Sequence, residues 1–115
     1  MKVTIYHNPR CSKSRQTLEL IRQHDIEPEI IEYLNDPPDM DTLRSILRKL
    51  GIGPRDLLRS GEKIYKELGL ADPSLSEEEL LDALCEHPVL IERPIVIRGK
   101  KAVLGRPPEN VLEIL

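Results

Sequence analysis

The chain has no tryptophan and no phenylalanine, and three tyrosines supply all its aromatic area in 115 residues. That excludes a platform on which single-stranded nucleic acid could stack. A basic excess is also lacking. Seventeen Lys and Arg against twenty Asp and Glu leave a formal net charge of -3, whereas general binding to a phosphate backbone needs a positive surface. A small basic pocket remains compatible with that balance. No apolar run approaches the roughly 20 residues of a membrane-spanning helix, and the opening MKVTIYH is too short and polar for a signal peptide. Neither nucleic acid nor membrane is expected as a partner. The two cysteines, Cys11 and Cys85, are too few for the disulfide framework of a secreted domain, so a reducing, cytoplasmic compartment is expected.

What is present fits one domain, 1–115, with one core. Lys2 to Tyr6 is a short β-branched and aromatic run that predicts a buried strand, ended by Asn8-Pro9. Ser12 to about His24 has helical periodicity, and Glu29 to Tyr33 (EIIEY) predicts a second strand. Strand, helix and strand in so short a stretch predict a βαβ unit with parallel strands. A helical block follows. Asp39 is placed to cap a helix carrying Met40, Leu43, Ile46, Leu47 and Leu50, with Gly51 at its end. Short helices are predicted from Pro54 to Leu58 and from Glu62 to Leu68. Ser76 with Glu79 reads as a capping box before Leu80, Leu81, Leu84 and Cys85. IVI, RGKK and AVL then predict a β-hairpin around Gly99. ENVLEIL predicts a final amphipathic helix with Val111, Leu112 and Leu115 inward. This order, βαβ, helices, ββα, predicts an α/β thioredoxin-like fold with a helical insertion at about 39–87.

The stretch HNPRCSKSR, His7 to Arg15, puts a cysteine where a strand gives way to a helix. Cys11 is open to two readings, a small buried apolar residue or a nucleophile, and its polar and cationic neighbours favour the second. Free cysteine ionises near about 8.5, so little is thiolate at neutral pH. Each tenfold gain in thiolate takes about 1.4 kcal/mol, while a helix N-terminus supplies roughly 0.3–1. Further donors or cations are therefore needed, and Arg10, Ser12, Ser14, Arg15 and His7 stand beside it. Cys85, on the Leu-rich side of its helix, reads as a packing residue.

Several chemistries are excluded by counting. A Cys-x-x-Cys dithiol needs cysteine at position 14, which is Ser14. The loop of low-molecular-weight phosphatases needs arginine six positions past the cysteine, which is Thr17. His7, His24 and His87 are not spaced with the cysteines for zinc, so no metal is expected. What remains is one reactive thiol in a loop with free backbone N–H groups, an anion-binding geometry.

HNPRCSKSR, with ERPIVI and GRPPE far downstream, resembles the glutathione- and glutaredoxin-linked arsenate reductases, and is close to the short bacterial arsenate-reductase-like proteins. The likeness extends through YLNDPP, LGI, YKELGLAD and HPVLIERPIV. It implies that Cys11 is the catalytic cysteine and that Arg59, Arg93 and Arg106 surround the oxyanion. It also implies that Ser14 supports the thiolate, that His7 and Asn8 are the loop positions before it, and that the Arg93-Pro94 bond is cis. Each arginine also has a bland reading as a solvated or surface residue, Arg15 as a helix-face residue, and His7 as a structural hydrogen-bonding group. The implied activity is thiol-dependent reduction of arsenate or a similar oxyanion. The resemblance further implies that no cofactor is bound, that glutathione is the co-substrate and that glutaredoxin is the protein partner. The alternatives are a monothiol-glutaredoxin-like oxidoreductase and an Spx-type regulator that binds RNA polymerase.

Overall fold

The computed structural model describes residues 2–115 and divides into two compact units. The first runs up to Asp36 and resumes at Arg93–Leu115; the second is Pro37–Glu92.

The first unit is built on a four-stranded sheet of order β2-β1-β3-β4, with strands β1 (Val3–His7), β2 (Glu29–Glu32), β3 (Ile95–Arg98) and β4 (Lys101–Leu104). Helix α1 (Ser12–Gln23) connects β1 to β2, and those strands pair in parallel with His7 opposite Glu32. β1 also pairs antiparallel with β3, Tyr6 facing Ile95, and β3 pairs antiparallel with β4. Arg98 faces Lys101, so the hairpin turn is Gly99-Lys100, with Gly99 at φ 63°. The left-handed conformation there favours glycine.

Burial explains the arrangement. Val3, Ile5, Leu18, Ile21, Val96 and Val111 form one buried cluster, joining sheet, α1 and the C-terminal segment. A fully buried aliphatic side chain contributes roughly 1.5–3 kcal/mol. β2 is an edge strand with three of its four residues exposed. It ends one residue short of the expected Tyr33, because the N–H groups of Asn35 and Asp36 both turn back to the Glu32 carbonyl. Tyr33 itself is fully buried.

The C-terminal segment corrects the expected helix. Pro108–Glu113 is a 3₁₀ helix. With three residues per turn, Pro108, Val111 and Ile114 line up toward the core, and Leu112 points outward, 45% exposed.

The second unit consists of α2 (Met40–Leu50), α3 (Pro54–Leu57), α4 (Lys63–Glu67), α5 (Glu77–Glu86) and a 3₁₀ turn at Pro88–Leu90. Asp39 Oδ1 accepts the Thr42 N–H at 2.8 Å and starts α2; Gly51, at φ 71°, ends it. The Ser76–Glu79 capping box starts α5. Its buried face is Leu80, Leu81, Ala83 and Leu84. Cys85 lies at the margin of that face and is only half-buried, not in the core position expected of it. A β-bridge between Leu58 and Ile91 ties two segments of this unit together, flanked by Arg59 N–H to the Leu90 carbonyl and Glu92 N–H to the Leu57 carbonyl, both 2.8 Å.

Candidate active site

β1 delivers the chain into a tight turn. The Cys11 N–H donates to the Asn8 carbonyl and the Arg10 N–H to Asn8 Oδ1, both at 3.0 Å. Such an Asx turn is the local chemistry that lets a strand reverse into a helix. Cys11 then occupies the N-cap of α1 in extended conformation, φ -93° and ψ 122°. Its thiol, on a largely buried residue, lies beside the Lys13 and Ser14 N–H groups of the first helical turn, without the alignment of a full capping bond.

Two arginines from the far end of the sequence meet it within the same unit. Arg106 Nη2 lies 3.5 Å from Cys11 Sγ. Arg106 Nε donates to the Arg93 carbonyl at 2.7 Å, so the two residues are fixed to each other. Burial pushes the Cys11 thiol up. The Ser14 N–H, then the Arg93 side chain by hydrogen bond and charge, then the Lys13 N–H outweigh it and hold the thiol below its ordinary value. The sequence-adjacent cations do not do this work. Arg15 Nη1 is turned to the Pro9 carbonyl at 2.9 Å, and Arg10 is exposed.

Behind the thiol sits a polar cluster. His7 Nδ1 is 2.6 Å from Ser14 Oγ, which also accepts the Asn8 N–H at 3.1 Å. His7, Asn8 and Ser14 are all buried. Burial holds the His7 imidazole below its ordinary value; Glu32 opposes that, while Arg22 and Arg15 add to it. Ser14 thus spends its side chain on His7 and Asn8, and its backbone N–H faces the sulfur.

Arg59 lies in the second unit. Its guanidinium is held by two carboxylates of that unit, Nη1 to Glu92 Oε1 at 2.8 Å and Nε to Glu62 Oε2 at 3.5 Å. The Arg93-Pro94 bond is cis, as the resemblance implied, and so is Arg106-Pro107, which the sequence reading did not anticipate.

Two further residues were given no site role in the sequence reading. Thr17 is fully buried, and its hydroxyl donates to the Lys13 carbonyl at 2.8 Å. Gly105, just before Arg106, lies against it. A glycine immediately before an Arg-Pro pair was the visible signal. Among the described residues, no group of three or more His, Cys, Asp and Glu is placed to hold a metal ion, and no helix is long and apolar enough to cross a membrane.

A model of the ArsC family matches residues 6–114 of the chain. The chain belongs to the ArsC family. A relative, the Escherichia coli (strain K12) protein YfgD, is 56% identical, over 99% of this chain and 97% of its own length. The arsenate reductase of Haemophilus influenzae is 53% identical over the whole of both chains. Among solved structures, the arsenate reductase from Vibrio cholerae superposes with a TM-score of 0.97 at 50% identity, covering 100% of this chain and 98% of that one. The fold of this ArsC member is α/β and thioredoxin-like.

Proposed function

We propose that the protein is an arsenate reductase in which Cys11 is the nucleophile and Arg93 and Arg106 bind the oxyanion. The reading is supported by full-length likeness to proteins named arsenate reductase. The observation that carries it is an arginine Nη2 at 3.5 Å from a sulfur at a helix N-terminus.

The chemistry follows from the residues. Arsenate resembles phosphate, whose esters carry roughly −1.5 to −2 charge at neutral pH. A guanidinium pairs such an anion through two parallel N–H donors and does not lose its charge. The N–H groups opening α1 add a favourable end for an anion. The Cys11 thiolate attacks arsenic(V), an As–S bond forms, and one oxygen leaves as water after taking up protons. A glutathione thiolate then closes on the Cys11 sulfur as the As–S bond breaks. Each sulfur gives up one electron to the new disulfide, and arsenic leaves as arsenic(III) with the pair. Glutaredoxin returns the mixed disulfide to the free Cys11 thiol. No bound cofactor takes part in these steps. His7, Asn8 and Ser14 hold the loop so that the Ser14 N–H points at the sulfur. In this reading residues 1–115 act as one thioredoxin-like domain with an inserted helical segment, working in the cytoplasm.

The test is arsenate-dependent NADPH oxidation coupled through glutathione, glutaredoxin and glutathione reductase. Turnover that requires arsenate and disappears in Cys11→Ser supports the reading. Thiol–disulfide turnover of equal rate with no arsenate requirement would replace it with a monothiol-glutaredoxin activity.

A further inference from the structure

The thiol and its two arginines in the first unit come from three segments, and one contact lies at the root of all three. Gly105 N–H donates to the Pro94 carbonyl at 2.9 Å, and Gly105 is buried. A Cβ on Gly105 would meet Thr17 Oγ1 at 2.5 Å, Pro94 Cγ at 2.7 Å and Thr17 Cγ2 at 3.1 Å. There is thus no room for any side chain. Thr17 stands on α1, six residues past Cys11; Pro94 follows Arg93; Gly105 precedes Arg106. Its backbone is also sound for other residues, since φ at Gly105 is not in the left-handed region. Glycine is required here for closeness, not for conformation.

We propose that Gly105 and Thr17 are positioning residues: their direct contact sets how far Arg93 and Arg106 stand from the Cys11 sulfur. This rests on the arsenate-reductase reading for what the geometry is for, but not for its measurement. Thr17 Oγ1 also lies 3.5 Å from the Gly105 carbonyl oxygen. Thr17 cannot retreat, because it is fully buried and its hydroxyl is bonded back into the helix. Moving a Cβ from 2.5 Å to the 3.4 Å of ordinary contact takes nearly 1 Å. That displacement falls on the residue next to Arg106, whose Nη2 is already 3.5 Å from Sγ. Because Arg106 Nε holds the Arg93 carbonyl, the second arginine is carried along. A guanidinium–thiolate attraction weakens with separation, so the thiol pKa reports the displacement.

The experiment uses the full chain in a Cys85→Ser background. The pH profile of Cys11 alkylation by iodoacetamide gives the thiol pKa, and inhibition of that alkylation by arsenate gives the oxyanion affinity. Neither depends on turnover, so failure of the reductase assay and failure of this inference are separable. Gly105→Ala is expected to raise the thiol pKa and to weaken arsenate protection at least fivefold. Gly105→Ala/Thr17→Ala, which removes two of the three close contacts, is expected to recover part of both. Thr17→Ile pushes on Gly105 from the helix side and should reproduce the Gly105→Ala effect; Thr17→Ser should not. An unchanged pKa and affinity in Gly105→Ala, or a double variant no better than the single, would overturn the proposal. So would loss of folding in both Gly105→Ala and Thr17→Ile, because the contact would then serve stability and not position.

Discussion

Arg106 Nη2 lies 3.5 Å from Cys11 Sγ across a sequence separation of 95 residues. The sheet order makes this meeting possible. β1, which leads to Cys11, pairs with β3, which follows Arg93, and β4, which precedes Arg106, pairs with β3. A cation brought so close to a sulfur at a helix N-terminus stabilises thiolate over thiol.

The first prediction concerns stability and the thiol. The folded-state pKa of Cys11 is held down, so the folded protein gives up this proton before the unfolded chain does. The group therefore stabilises the fold fully above the unfolded value of about 8.5 and loses that contribution as pH falls through the folded value. In a Cys85→Ser background, urea midpoints of the protein and of Cys11→Ser are measured from pH 5.5 to 8.5. The difference between them should grow in favour of Cys11 as pH rises. A difference independent of pH would contradict it.

His7 titrates with the opposite charge change and the same outcome. Its folded value lies below the ordinary one near 6.5, so the unfolded chain takes up the proton first as pH falls. Stability from this group is present above about 6.5 and is lost as pH falls toward the folded value. The urea midpoint should drop between pH 7.5 and pH 5.5, and drop less in His7→Gln. An equal drop in the two proteins would remove His7 from the account.

Arg59 is held by Glu62 and Glu92 of its own unit. Arg59→Gln leaves both carboxylates without that partner and should cost about 1.5–3 kcal/mol, as expected for losing a charged hydrogen bond, read as a lower urea midpoint. An unchanged midpoint would show that the ion pairs contribute nothing to the fold.

The capping box of α5 provides a control. Ser76→Ala removes the acceptor of the Glu79 N–H and should cost about 1 kcal/mol, read as a lower urea midpoint. The alkylation rate of Cys11 at pH 7 should stay unchanged. A slowed rate would show that thiol reactivity reports stability in general.

Much of the fold was legible because its signals are local. Hydrophobic runs, Asp39, Gly51, the Ser76–Glu79 pair and the Gly99 turn each determine an element within a few residues. The C-terminal segment was read as an α-helix because the sequence does not distinguish a period of 3.6 from one of 3.0 over so few residues. Leu112 was misplaced for that reason. Cys11 as the residue of interest was legible from its setting, but the cause of its lowered pKa was not. Arg10 and Arg15 are near in sequence, yet one is exposed and the other bonds the Pro9 carbonyl. Beside the Ser14 N–H, the cations at the sulfur are Arg93 and Arg106, and only their resemblance-based assignment placed them near the thiol. The Thr17–Gly105 contact depends on how closely two segments approach, which no local pattern encodes.

The most direct measurement is the pKa of Cys11 from iodoacetamide alkylation of Cys85→Ser protein, with and without Arg93→Ala. The account predicts a value below that of free cysteine, about 8.5, and a rise when Arg93 is removed. A value at or above 8.5, or one unmoved by Arg93→Ala, would contradict it.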